Sequence, residues 1–305
     1  MTSKSKAYLF LVMACFFWGA TPLCGRILKD SLSPMLITGA RFSLVSIILF
    51  TFLYLKGGLK SVKVSLHDFK LLFVMGALGI FLHNSLLFEG LKYTTASNAA
   101  LIESIGPAVT SVCAFLFIGE RLSKFGWIGI IISLFGAMFI VCKGSLTVIT
   151  QFEFNIGEIL VVICEILWSV YVVISYRLSP NINALSVTAY TALVGALLCF
   201  VFGALCNSLI VYKIELIDVV SFLVLSLFAG IVAFASWNYA ISRVGASKGG
   251  IFVYLIPLFG AVLGFAVLGE TLIKEEIIGA LFVIAGMIIS VRAKLTNKGG
   301  ANVSM

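Results

Sequence analysis

Residues 86–107 read LLFEGLKYTTASNAALIESIGP, and residues 237–257 read WNYAISRVGASKGGIFVYLIP. The second stretch repeats the first at an offset of 150 positions, so that Ala96-Ser97 falls on Ala246-Ser247 and Pro107 on Pro257. The same offset, applied to the whole chain, superimposes Trp18 on Trp168, Phe50 on Phe200 and Gly119-Glu120 on Gly269-Glu270. It also places Leu122 on Leu272, Gly129 on Gly279 and Gly136 on Gly286. One offset that holds across both halves marks an internal duplication. The halves are expected at 1–150 and 151–305.

Composition says what was duplicated. Of 305 residues, 61% are hydrophobic and 11% charged, where a soluble protein carries about 25% charged residues. No soluble fold of this size hides so much apolar surface. A soluble enzyme, a nucleic-acid binder and a disordered chain are thereby excluded. A membrane-spanning helix needs about 20 apolar residues. Ten such segments are marked, at roughly 7–28, 34–55, 69–89, 95–118, 125–143, 157–176, 184–206, 219–240, 246–268 and 275–293. The first is too long for the apolar core of a signal peptide and reads as a span.

Each half then holds five spans, an odd number, so the second half enters the bilayer from the opposite face. The expected fold is an all-α integral membrane protein of two inverted five-helix repeats around a central cavity. That is the architecture of secondary transporters, with the substrate site near the midplane between the halves. Both repeats lie in one chain, so a monomer suffices, although a dimer is compatible.

Lys and Arg set the orientation. With the N-terminus inside, fourteen fall on the cytoplasmic side, from Lys4 and Lys6 to Arg292, Lys294 and Lys298, against six on the other side. Both termini are therefore expected in the cytoplasm, and the net charge of +8 reflects this sidedness rather than nucleic-acid binding. Seven cysteines lie in or beside apolar runs without metal-ligand spacing. They read as small packing groups, and neither metal nor cofactor is expected.

Ionisable groups inside hydrocarbon are costly, which makes each one a functional hypothesis. Arg41, His83, Glu103 and Glu165 each stand six to eight residues from the outer end of their span. At a rise of 1.5 Å per residue they form one layer, about 9–12 Å below the outer boundary. Glu103 or Glu165 can neutralise a substrate ammonium or exchange a proton. Arg41 can clasp a carboxylate or pair internally with one of the glutamates. His83 can relay protons near neutral pH or bond a neighbouring helix. Asn84 and Asn238 can hold a polar ligand or tie helices together.

Trp18, Trp168, Tyr171, Trp237 and Tyr254 lie away from the interfaces where aromatic belts belong, and suit a cavity wall. A ring face can also meet an ammonium. Pro107 and Pro257 occupy matched places in the fourth and ninth spans and are expected to kink them, as paired hinges or as bundle shape. Gly260 with Gly264, and Thr110 with Ala114, are small-residue faces for close packing. Glu120 and Glu270, at the membrane edge, are expected to cap or anchor the fifth and tenth spans.

The paired tryptophans, the two quoted stretches, and "GERL" and "GETL" at 119–122 and 269–272, each followed by a span with Gly-x6-Gly, together resemble the ten-helix EamA-type branch of the drug/metabolite transporter superfamily. The resemblance runs over about 7–293. It implies a carrier of the bacterial inner membrane, commonly an exporter of amino acids or related metabolites. An arginine in the second span is a common feature of such carriers, whereas an acid at position 103 is not.

A membrane-embedded enzyme would show clustered nucleophile, base or metal-ligand residues, and the chain has two histidines, with His67 in a loop. No phosphate-binding G-x-x-x-x-G-K-[ST] occurs, so ATP is not the expected drive. The expected activity is alternating-access export of amino acids or related zwitterions, with protons as a candidate coupling ion. An exporter of lipophilic cations is the alternative.

Overall fold

The computed structural model describes residues 3–103, 105–118, 123–141, 144–145, 155–175, 177–179, 182–244, 252 and 255–298. Among the described residues the elements are helices, with one isolated bridge between Leu32 and Val211. Six helices are long and apolar enough to cross a membrane: Ser5–Leu28, Pro34–Gly58, Leu66–Gly90, Ile156–Ser175, Leu185–Leu205 and Leu216–Trp237. They are the first, second, third, sixth, seventh and eighth spans. The fourth corresponds to Ala96–Glu103 and Gly106–Ile118, the fifth to Lys124–Val141, the ninth to Leu255–Leu268 and the tenth to Lys274–Lys298. With the duplication, this is a ten-helix membrane architecture of two five-helix repeats. Ile47, Leu116, Phe117, Phe135, Leu197 and Phe265 are each more than half exposed. A soluble protein does not show water so broad an apolar belt; lipid covers it here.

The repeat can be followed contact by contact. The fifth and tenth spans cross at Gly136 and Gly279, where a Cβ on Gly136 would stand 2.6 Å from the Gly279 carbonyl oxygen. The Ser133 hydroxyl donates to the Val283 carbonyl at 3.1 Å. Positions 133 and 283 are repeat partners, so this contact lies on the axis relating the halves. Without a hydrophobic drive in lipid, such close backbone approach is what holds helices together.

Elsewhere each half lends a helix to the other. The sixth span packs on the third and fourth, and the first packs on the eighth and ninth. Gly90 meets Gly157 in the former group, and their repeat partners Ala240 and Ala7 share a buried cluster in the latter. Gly19 approaches Gly260 in the first–ninth contact; at the matching places Ser169 and Thr110 share a hydrogen bond of 2.9 Å.

Two stretches, Gly76–Leu82 and Val224–Val232, are π-helical, and they are repeat partners in the third and eighth spans. A π winding replaces the regular ladder with bonds that reach one residue further, and side chains meet its carbonyls. The Trp18 indole takes Ala229 O at 3.1 Å and Arg41 Nε takes Leu225 O at 3.1 Å. Asn84 Nδ2 donates to Gly79 O and Ile80 O, each at 3.2 Å.

The fourth span is interrupted rather than kinked. Its first helix ends at Glu103 and its second begins at Gly106, with Ile105 N–H donating back to Ile102 O at 3.0 Å. Pro107 is the second residue of the new helix, where a missing N–H costs nothing. Pro257 likewise stands third in Leu255–Leu268. Both proline side chains lie outside the described residues.

Glu270 does not cap the tenth span. Its carboxylate accepts from Ala96 N and Ser97 N, both at 2.9 Å, and from Ser97 Oγ at 2.7 Å. The fourth span begins there with free N–H groups and a positive dipole end, which draw the acid across. Glu120 lies outside the described residues. On the opposite face Asp68 accepts from Ser65 Oγ at 2.7 Å, and from Ser179 N and Oγ at 2.8–2.9 Å, joining the third span to the connection after the sixth.

Candidate functional site

The interruption of the fourth span gathers the site. The helix Ala96–Glu103 presents its negative dipole end at Glu103, and the helix from Gly106 presents its positive end a few residues on. Glu165, from the sixth span, fills the space beside Gly106 so closely that a Cβ there would collide with Glu165 Oε2. The two carboxyl groups lie within electrostatic reach of each other. Glu165 is 5% exposed. Among the described residues the ion pairs are Lys29–Asp30, Lys92–Glu89 and Lys213–Glu215. None of these reaches Glu103 or Glu165, so the acid pair has no ion-pair partner among the described residues.

Glu103, His83 and Tyr171 are each surrounded by protein, yet each keeps part of its surface uncovered. The His83 ring lies 5.7 Å from Trp168, which stacks on Tyr171 at 4.8 Å with the planes 10° apart. Tyr171 rests on Gly79, where any Cβ would overlap its ring. His83 Nδ1 is buried with no hydrogen-bond partner among the described residues. The Cys164 thiol, next in sequence to Glu165, donates to the His83 carbonyl at 3.2 Å. That bond ties the acid pair to the histidine.

Arg41 does not pair with a glutamate. The guanidinium, 4% exposed, donates to Leu225 O and, at 3.4 Å, to Asn84 Oδ1, and sits 4.7 Å from the Phe42 ring centre. It lies within electrostatic reach of His83 and Cys24. The π segment supplies the Leu225 carbonyl, and Asn84 completes the clasp. The layer expected from spacing thus divides into Glu103 with Glu165, and Arg41 with His83 and Asn84.

Trp18 and Trp237 are in the other group of helices, 5.4 Å apart, with Phe234 edge-on to Trp18 at 5.2 Å. The Asn238 side chain and all of Tyr254 lie outside the described residues. One buried pair was not foreseen. Asn98 Nδ2 donates to Glu158 Oε1 at 3.0 Å, with Glu158 1% exposed at the start of the sixth span. An acid in a first helical turn reads as an interfacial dipole partner; only the close Gly90–Gly157 approach buries it.

Comparison with known proteins follows this geometry. Residues 5–142 and 155–292 each match the EamA-like transporter family. The uncharacterized transporter YyaM of Bacillus subtilis is 28% identical over 284 residues, covering 92% of both chains. An uncharacterized transporter of Archaeoglobus fulgidus is 27% identical over 287 residues, covering 94% of this chain and 98% of its own. A solved crystal structure aligns with a TM-score of 0.65 at 20% identity, over 95% of this chain and 99% of that one. At that identity the likeness concerns the fold alone.

Proposed function

The chain belongs to the EamA-like transporter family, and from that premise we propose an exporter of amino acids or related zwitterions working by alternating access. The observation that carries the proposal is the acid pair at the broken helix. Two carboxyl groups held together in a low-dielectric interior repel each other, and among the described residues no basic side chain relieves them. A substrate ammonium placed between Glu103 and Glu165 removes that repulsion, and so does a proton. The substrate carboxylate then turns toward the side of His83 and Arg41, whose charge reaches the imidazole.

Competition between ammonium and proton for one site couples their movements. A proton entering the acid pair from outside displaces the ammonium outward, and the protonated pair returns the carrier inward. The broken fourth span, with Pro107 and its partner Pro257 as hinges, supplies the bend, since interrupted helices tolerate freed backbone groups where they line a cavity. The remaining lining is His83, Asn84, Trp168, Tyr171, Trp237, Asn238, Tyr254 and Trp18. The protein performs transport rather than bond-making chemistry. It sits in the cytoplasmic membrane of a bacterium with both termini inside and its two units meeting near residue 150.

Titration calorimetry of the detergent-purified protein with L-amino acids tests the ammonium site. Saturable heat that disappears in Glu165→Gln, with the variant still monodisperse, supports it. Undiminished heat in that variant removes the acid pair from the site. Heat with lipophilic cations but with no amino acid would favour the multidrug alternative.

A further inference from the structure

We propose that Trp18, Phe234 and Trp237 receive an apolar side group of the substrate, so that the carrier selects amino acids or amines with an aromatic or branched side group and holds them in one orientation. This rests on the reading of Glu103 and Glu165 as the ammonium site, and adds what lies at the other end of the ligand.

The two repeats agree in framework and disagree in lining. Contacts that hold the helices are kept or exchanged small for small, as with Gly90–Gly157 and Ala240–Ala7. Around the matched tryptophans the chemistry changes. The rings of His83 and Tyr171 meet Trp168, and the repeat partners of His83, Asn84, Glu165 and Tyr171 are Ala233, Phe234, Cys15 and Thr21. Leu87 becomes Trp237 at its partner position. The offset thus removes the ionisable groups of the third and sixth spans and adds two rings on the eighth.

Two polar groups on the ring side are already engaged: the Trp18 indole donates to Ala229 O at 3.1 Å and the Cys15 thiol to Phe252 O at 3.0 Å. This side offers ring surface, with Phe234 and Trp237 each against Trp18 and all three only half-buried. A charged group set against it would lose its hydration without a partner, while an apolar group gains. A site with matched linings would accept a ligand either way round. This one, with its carboxyl groups on one side only, accepts one orientation.

The test measures binding of L-phenylalanine, L-leucine, L-alanine and phenethylamine to the purified protein and to Trp237→Leu and Phe234→Ala. Trp237→Leu installs the residue of the matching position, so one variant replaces and the other removes. Phenylalanine and leucine are expected to bind the wild type roughly tenfold or more tighter than alanine. In the variants that ratio falls toward one. A ratio unchanged in a variant that keeps its melting temperature, or alanine bound tightest by the wild type, overturns the inference. If Glu165→Gln abolishes binding of every ligand while the ratio survives in Trp237→Leu, this inference fails and the ammonium site stands. If none of the four ligands binds the wild type, the ammonium reading fails and takes this inference with it.

Discussion

The Glu165 carboxyl lies against Gly106, the residue at which the fourth span resumes after its break. A side chain from one half of the chain there meets the interrupted helix of the other half. The contact leaves no room for a Cβ, and it brings Glu165 beside Glu103.

Gly106→Ala therefore displaces the carboxyl without removing it. The obstructing atom is the far end of a flexible side chain, so the fold accommodates the methyl group by moving Glu165. We expect a well-folded protein whose substrate affinity falls about tenfold, on the order of 1.4 kcal/mol. Calorimetric titration beside a melting curve checks this. Wild-type affinity in a folded Gly106→Ala would show that the position of Glu165 does not matter.

Glu103→Gln and Glu165→Gln remove one charge each while keeping shape. Either loses more than tenfold in flux, and neither is less stable than the wild type, because relief of the carboxyl repulsion offsets any lost contact. Thermal melting next to a flux assay separates the two effects. A Glu165→Gln protein that melts well below the wild type would mark the acid as structural.

Arg41 behaves in the opposite manner. It joins the second span to the carbonyl of Leu225 and to Asn84, and lysine cannot make both bonds from one nitrogen at those positions. Arg41→Lys is expected to lose about 1–3 kcal/mol of stability through unpaired buried groups, seen as a lower melting temperature. Unchanged melting would mean that the clasp contributes nothing.

The Asp68–Ser179 contact is separable from substrate binding. Ser179→Ala deletes the hydroxyl bonds to a buried carboxylate and leaves the backbone bond. A loss of about 1.5–3 kcal/mol is expected from a hydrogen bond to a charged group, with substrate affinity unaltered. A fall in affinity at constant stability would place this contact in the binding equilibrium instead.

Much of this architecture can be read directly from the chain. The offset of 150 finds the repeat because close contacts on the axis, such as Gly136 against Gly279, tolerate no side chain and so retain glycine. The depth of Glu103 and Glu165 is legible because ionised groups rarely enter hydrocarbon. Their meeting beside Gly106 is not, since spacing gives depth along a helix but not which helix faces which. Arg41 can be read as pairing with an acid, whereas the carbonyl it uses lies in a π turn at Val224–Val232. Nothing in the apolar run VLSLFAGIV announces that turn. The interruption after Glu103 is only half legible: Gly106-Pro107 signals a disturbance, but a proline-induced kink and a restarted helix carry the same letters.

The central claim is that Glu103 and Glu165 alternately hold a substrate ammonium and a proton. It is tested most directly by flux of labelled L-amino acids in proteoliposomes, with and without an imposed pH gradient, for the wild type, Glu103→Gln and Glu165→Gln. The account predicts saturable amino-acid movement in the wild type, faster with the gradient, and loss of that movement in both variants. Movement indifferent to the gradient and undiminished in the glutamine variants would contradict it.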